Sequence, residues 1–517
     1  MKKTLVATII ISLLMTGCDS SSETNGSHKD EPPTLEHKTF TVLTANVWNE
    51  LSHDAKDAVE NPDGKIAYLL AVDEMKNSKA DVILLQESGG TSARLAEDLN
   101  MYLWQGSDFI PDTAILSKYP ITEVFDNENK SISRDDLSRG NRENVGVKLS
   151  VDGRDVIVWA NHLDYTHYVN YEARGGNGMT WKARKNCLAI TDTDELDRKE
   201  MASERPAQIS RVIENVKPFI DSDTLVIIGG DFNESSGVDW TAETTDMFDH
   251  KGVIYDYETH KRLLNAGLTD SYREIYGDPV SHPGITWPYN NEDSYTDARS
   301  YILECGRALD DRDRIDFIYY NAQVAGVTLS HVAVVGPYSK EFFKSVDGVD
   351  YSQLEDVHDG AYIDEGGNSH YTKRQWPSDH LWYKSVFSLQ TEGATTVNPH
   401  YFTPLFERVK YEKQGNDIQI SFNLTHLDLW ENEIKYILEI TPRYQHAILG
   451  KNLQKQALLE KPLADERINM LITEDTLARL RKEGQDLQIR YTSSSLIGAY
   501  HKMYAVKTIP LDILNAL

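Results

Sequence analysis

From Phe40 to Trp48 apolar and polar positions alternate and arrive at an amide, Asn46, a pattern that predicts a strand opening the folded region. Ile66, Leu69 and Leu70 then recur at helical spacing. A second strand is predicted over Val82-Ile83-Leu84-Leu85, whose unbroken apolar run implies burial on both faces; it stops at Glu87, ahead of Gly89-Gly90. Thr113 to Ser117 reads as a strand followed by a turn at Tyr119-Pro120. Val145 to Leu149 and Val156 to Ala160 read as a strand pair joined at Asp152-Gly153, and the second of them runs into Asn161-His162. Ile209, Val212, Ile213 and Val216 mark a helix leading into Leu225-Val226-Ile227-Ile228-Gly229-Gly230, a buried strand that ends abruptly with Asp231 and Asn233 just past it. Further strands are predicted over Asp313 to Tyr320 and Tyr383 to Phe387. Strands alternating with helices, hairpins among them, predict an α/β layered sandwich with mixed sheets.

The two ends of the chain follow other patterns. Residues 389–399 are polar with Gly and Pro and read as a linker. Beyond them Ile418, Ile420, Phe422 and Leu424 alternate, as do Tyr436, Leu438 and Ile440, and a helical stretch interrupts at Thr476 to Lys482. Residues 400–517 are therefore expected to form a small β-rich accessory domain, which suits a chain of 517 residues, too long for one ordinary domain. At the start, Lys2 and Lys3 precede an apolar run from Leu5 to Met15, too short for a lasting membrane span and suited to an export signal. Leu14-Met15-Thr16-Gly17-Cys18 resembles a bacterial lipobox. That resemblance implies a signal peptide over 1–18, lipidation of Cys18, and a polar, Ser-rich tether over 19–37. Asp19 resembles the signal that keeps some lipoproteins on the inner membrane. The expected location is the bacterial cell envelope, lipid-anchored and periplasm-facing.

Charge narrows the partners. A net charge of −28 opposes nonspecific attraction to nucleic acid or an anionic membrane surface, and no basic run supports such a partner. A nucleic-acid substrate stays open but is not favoured, because a local cationic groove or a metal can outweigh the average field. Apart from Cys18 the cysteines are Cys187 and Cys305, candidates for a disulfide in an exported chain, the alternative being two buried thiols. Oligomeric state is not legible.

The candidate chemistry sits where predicted strands end: Asn46, Glu87, His162, Asp231 with Asn233, Asp316, and Asp379-His380. Carboxylates and amides without a histidine or cysteine cluster favour a hard cation, Mg2+, with Mn2+ as a substitute. A carboxylate such as Glu87 at a buried strand end is costly unless paired or bound to a cation. Taken in order, these motifs, with Leu-Leu-Gln-Glu87-Ser, Arg-Ile-Asp316-Phe and Ser-Asp379-His380, resemble the endonuclease/exonuclease/phosphatase superfamily over residues 38–388. The resemblance implies a DNase I-like four-layer sandwich of two mixed β-sheets and hydrolysis of a phosphoester.

By that resemblance Glu87 and Asn46 hold the metal, with Asp379 at or beside it. Asp231 orients and deprotonates the attacking water with the help of Asn233, His162 and His380 donate to the phosphate, and Asp316 holds His380. The segment between His162 and Asp231 is long, aromatic and glycine-bearing; Tyr165, Trp181 and Arg174 are candidates for clasping an organic headgroup and its phosphate. The alternative for this segment is a rim packed on the domain. Asp164, Asp313, His167 and His282 read as loop acids, ion-pair partners or packing residues. The expected activity is a Mg2+-dependent phosphoesterase acting on an extracytoplasmic phosphoester. The alternatives are a nuclease on the same scaffold and an idle, surface-binding descendant of it.

Overall fold

The computed structural model describes residues 35–51, 65–106, 112–126, 144–289, 298–307, 309–337, 361–363, 369–372, 376–393, 403–426, 435–444, 453–458, 466–494 and 503–517. The export signal, Cys18, nearly all of the tether, residues 394–399 of the linker and residues 290–297 lie outside the described residues. Among the described residues no helix is long and apolar enough to cross a membrane.

In chain order the strands of the first region are β1 (Glu36–Asn46), β2 (Val82–Gln86), β3 (Tyr102–Trp104), β4 (Ala114–Ser117), β5 (Ile121–Asp126), β6 (Asn144–Val151), β7 (Arg154–His162), β8 (Leu225–Asp231), β9 (Thr269–Asp270), β10 (Asp316–Tyr320), β11 (Val327–Val335), β12 (Ala361–Ile363), β13 (Ser369–Thr372) and β14 (Trp382–Thr391). The helices that matter for the site are α1 (Lys65–Asn77), α2 (Ser92–Leu99), α3 (Val169–Arg174), α4 (Thr193–Glu200), α5 (Arg205–Asp221), α6 (Glu258–Asn265), α7 (Ser271–Ile275) and α8 (Ala298–Cys305). Two six-stranded mixed sheets form, in the orders β11-β14-β1-β2-β4-β3 and β5-β6-β7-β8-β10-β9. Strand β14 continues to Thr391, into the stretch read as linker.

The period of two along each strand sorts the side chains into layers. Val42, Val82 and Leu84 of the first sheet meet Val156, Val158, Leu225 and Ile227 of the second in one buried cluster. Their neighbours face away: Leu43, Ala45, Ile83 and Leu85 pack with Ala71 and Val72 of α1 and Leu95 of α2. Ile157, Trp159, Val226 and Ile228 pack with Ile209, Val212 and Val216 of α5. This is the expected four-layer α/β sandwich, and it explains the unbroken apolar runs of β2 and β8: both faces of each are covered. Each fully buried Val, Leu or Ile contributes about 1.5–3 kcal/mol.

The C-terminal region holds β15 (Leu405–Gln414), β16 (Asp417–Thr425), β17 (Lys435–Pro442), β18 (Gln454–Leu458), β19 (Ile468–Ile472), α9 (Glu474–Glu483), β20 (Leu487–Ser494), β21 (Met503–Ile509) and α10 (Leu511–Ala516). A three-stranded sheet, β15-β16-β19, and a four-stranded sheet, β18-β17-β20-β21, enclose Ile420, Phe422, Leu438, Ile440, Met470 and Ile489. Thr473 caps α9 by accepting from Thr476 N, and Gly484 closes it in the left-handed conformation, which accounts for the helical interruption read in the sequence. The unit docks on α2: Glu97 accepts from the backbone N and Oγ1 of Thr508 at 2.8 and 2.7 Å, and Asp98 pairs with Arg443 at 2.6 Å.

Candidate active site

Strand register builds the site. Strands β7 and β8 run parallel with His162 beside Asp231, and β8 pairs antiparallel with β10 so that Asp231 lies opposite Asp316. In the other sheet β1 and β2 run parallel with Asn46 beside Gln86, which puts Glu87 one residue past the rung. Gly230 is required here: its φ is +146°, and a Cβ would lie 1.9 Å from Asn161 O on β7. The backbone of Glu87 itself takes a φ of 54°, uncommon outside glycine, and turns the carboxylate out of the strand.

The two sheets meet at Asn46. Its Nδ2 donates to Asp231 Oδ2 at 3.0 Å and to Glu87 Oε1 at 3.2 Å, so the two carboxylates lie within the sum of those lengths. Asn46 Oδ1 accepts from Trp48 N, and its backbone carbonyl accepts from Ser378 Oγ and the Trp382 indole, tying the amide to the His380 loop. Glu87 Oε2 accepts from Asn49 N, and Asp231 Oδ1 from Asn233 N at 2.8 Å. Asn233 Nδ2 donates to Leu163 O at 2.9 Å, clamping the chain just after His162. Both His162 Nε2 and His380 Nε2 stand 3.6 Å from Asp231 Oδ2. Asp316 Oδ2 is 2.9 Å from His380 Nδ1, and Asp379 Oδ1 is 4.0 Å from His380 Nε2 while its Oδ2 accepts from the Trp287 indole at 3.4 Å. Residues from far-apart segments thus share one mouth of the sandwich.

Burial and charge set the protonation states. Burial opposes a charged His380 ring, but Asp316, then Asp231 and Asp379, push it up to about 10. Burial likewise opposes charge on His162, and Asp112 on its Nδ1, with Asp231 and Glu87 nearby, lifts it well above the ordinary histidine range. Each ring therefore offers an Nε2–H beside Asp231 at neutral pH. Burial raises Asp231 above an ordinary aspartate; His380 and His162 pull it down and Asp316 pushes it up again.

Ligand atoms of Asp231, Asp316 and His380 lie within 4.8 Å of one another. In that group Asp316 is already committed to His380, so it fits a hydrogen-bonded relay better than a cation cradle. Glu87 fits a hard cation: its carboxylate stands at the mouth with the Asn46 side chain beside it, the oxygen-bearing groups such an ion takes.

One candidate is corrected. Arg174, read as a phosphate clasp, ends α3 with no exposed surface, forms a two-armed ion pair with Asp313, and donates from Nε to Phe248 O at 2.8 Å. Asp313 also accepts from Tyr168 Oη and Ser235 Oγ, so Arg174 is buried within a network that anchors the insert. Tyr165 is 57 % exposed and stacks on Trp181, which stacks in turn on buried Tyr168; Tyr168 meets Trp287 edge-on, and Trp287 lies 6.4 Å from the His380 ring. Cys187 and Cys305 are joined by a disulfide, Cα atoms 5.4 Å apart, that ties this insert to α8.

Two further sets of residues escaped the pattern of the sequence. Asp112, two residues before β4, bonds His162 Nδ1, and its carbonyl accepts from Ser88 N at 3.0 Å beside Glu87. A lone acid ahead of a strand is an ordinary turn residue, and its partner is fifty positions away. Arg205 and Glu234, both fully buried, pair at 2.7 Å, and Arg205 also donates to the carbonyls of Asp164, Thr166 and His167. Burial pushes Glu234 to about 8, although Arg205 draws it down.

Over 297 residues the chain is 29 % identical to an uncharacterized protein of Caenorhabditis elegans, covering 55 % of this chain and 79 % of the relative. Among solved structures it is similar to the human Nocturnin catalytic domain, at 13 % identity, TM-score 0.36, covering 70 % of this chain and 100 % of that one. It is likewise similar to a 3' phosphatase from Neisseria, at 18 % identity, TM-score 0.34, covering 67 % and 98 %. An AP endonuclease from Archaeoglobus fulgidus gives 15 % identity, TM-score 0.34, covering 67 % and 99 %. Residues 43–380 match the profile of the endonuclease/exonuclease/phosphatase family, a span running from β1 to His380, and the chain belongs to that family.

Proposed function

We propose that this chain is a divalent-metal-dependent phosphoesterase that hydrolyses a P–O bond of an extracytoplasmic phosphoester by in-line attack of water. The observation that carries this reading is Asp231 Oδ2, which accepts from Asn46 and has the Nε2 atoms of His162 and His380 each 3.6 Å away. One carboxylate facing two rings held charged can take a proton from water while the rings face a phosphate. Glu87 and Asn46, with Asp379 close by, would hold the cation, Mg2+ or Mn2+, which supplies neutralisation of the phosphate charge.

The chain's own residues supply the rest. Asp231, raised by burial, receives the proton of the attacking water. Asn233 fixes the backbone on which His162 sits. His162 and His380 donate from Nε2 to the non-bridging oxygens, where each such donor is worth about 2.7–4 kcal/mol in the transition state. Asp112 and Asp316 hold the two rings by Nδ1, fixing orientation and charge. Export and lipid anchoring belong to the same proposal. They are supported by the Lys2-Lys3 start, the apolar run, Cys18, and a disulfide of the kind that persists in oxidising compartments.

A panel of bis-p-nitrophenyl phosphate, sphingomyelin, sugar phosphates and plasmid DNA, each with Mg2+ or chelator, tests the activity. Metal-dependent release from a small or lipid phosphoester is the expected result. Rapid plasmid cutting would replace this reading with a nuclease, and silence on every substrate would refute hydrolysis.

A further inference from the structure

Among the described residues the C-terminal unit carries no catalytic constellation, yet its first edge residue, Met503, lies inside the catalytic domain. The Met503 side chain is fully buried and belongs to the same apolar cluster as Ala93, Leu95 and Ala96 of α2 and Ile83 and Leu85 of β2. Its backbone carbonyl accepts from Gln105 Nε2 at 2.9 Å. Gln105 Oε1 accepts from Ser92 Oγ at 2.8 Å. Ser92 N donates to Ser88 O at 2.8 Å, and Ser88 N donates to Asp112 O at 3.0 Å. Gln105, Ser92 and Ser88 are all buried. An unbroken run of buried hydrogen bonds therefore leads from β21 to the loop between Glu87 and α2 and to the backbone of Asp112, the partner of His162.

We propose that Gln105 and Ser92 are positioning residues through which the docked C-terminal unit sets the loop carrying Glu87, so that this unit is a working part of the cation site. The inference rests on the phosphoesterase reading above. A side-chain amide suits the task because it donates to one neighbour and accepts from the other with fixed polarity. The buried carbonyl of Met503 can only accept, so it dictates which end of Gln105 faces Ser92. With that end fixed as an oxygen, the Ser92 hydroxyl is held at the start of α2, where Ser88 O receives both Thr91 N and Ser92 N at 2.8 Å. The left-handed backbone of Glu87 is costly for a residue with a Cβ and persists only where its surroundings hold it. Groups hydrogen-bonded to metal ligands commonly change metal affinity 10- to 100-fold, and the loop held by Ser92 sets where such a ligand, Glu87, stands.

The test uses the full chain with Ser92→Ala and Gln105→Leu. Ser92→Ala leaves the Gln105 to Met503 contact in place and cuts the run next to the loop. Mn2+ binding is followed by electron paramagnetic resonance, loop protection by hydrogen exchange over residues 86–92, and turnover by its Mg2+ dependence. Ser92→Ala is expected to weaken Mn2+ about 10-fold, to raise the Mg2+ needed for half-maximal rate by a like factor, and to speed exchange at Ser88 with β20 and β21 still protected. Gln105→Leu is expected to do the same and also to speed exchange in β21. If folded Ser92→Ala binds Mn2+ and protects residues 86–92 as the unaltered chain does, the inference falls and the phosphoesterase reading stands. If the unaltered chain binds no Mn2+ and cleaves no phosphoester, both fall together.

Discussion

Replacing Asp316 with asparagine keeps the shape of the group on His380 and removes its charge. Both residues are buried, the contact is 2.9 Å, and among the groups that raise His380 against the effect of burial Asp316 stands first. The gap between an ordinary histidine near ~6.5 and about 10 corresponds to about 5 kcal/mol of interaction favouring the charged ring. Because the folded-state value is raised, this stabilisation is fully present below pH ~6.5 and is lost as pH rises through about 10. Asp231 and Asp379 keep part of the effect in Asp316→Asn, so the variant is expected to lose about 3 kcal/mol at pH 6 and little at pH 10. Urea unfolding across that range reads the difference directly. The rate profile moves with it: the alkaline limb of kcat shifts toward neutral pH in the variant, because His380 then loses its proton sooner. Stability curves that stay parallel for the two proteins, or an alkaline limb that does not move, would refute the assignment of Asp316 as the group that keeps His380 charged.

Other outcomes follow from the same geometry. Asp231→Asn preserves the contact with Asn46 and removes the base; kcat is expected to fall about 10²- to 10⁴-fold with an unchanged circular dichroism spectrum, and near-normal turnover would end the role given to Asp231. Glu87→Gln is expected to raise the Mg2+ concentration for half-maximal rate at least ~10-fold, while chelation silences the unaltered chain and Mg2+ or Mn2+ restores it. Arg174→Met leaves Asp313 buried without its cation, which is expected to cost about 3–5 kcal/mol in urea unfolding with little change in KM. A stable variant with a raised KM would return Arg174 to the substrate.

Much of the architecture was readable because burial leaves a simple imprint on sequence. Strands β2 and β8 are covered on both faces, so Val82 to Leu85 and Leu225 to Ile228 are apolar without a break, and a polar residue at their ends stands out. Glu87 and Asp231 were visible for that reason, Asn46 and His162 at the ends of other predicted strands, and Asp316 and His380 in motifs that resemble the family. Partnerships were not, since they depend on register and on how loops return. Asp112 looks like any turn acid until β4 brings it to His162, and Arg174 looks like a phosphate ligand until Asp313 is seen to take both its arms. The C-terminal strands were legible as strands, while the insertion of Met503 into another core was not, because alternation records that a side chain is covered and says nothing of what covers it.

His162, Asp231 and Asp316 occupy a single rung across three neighbouring strands. A deletion or insertion of one residue within β8 would turn Asp231 to the opposite face and dismantle the whole row at once. Length variation is therefore tolerable only in the segments that depart from the rung, such as the disulfide-tied insert after His162. Such a scaffold can exchange its clientele by rebuilding those departures while the reaction at the row stays the same.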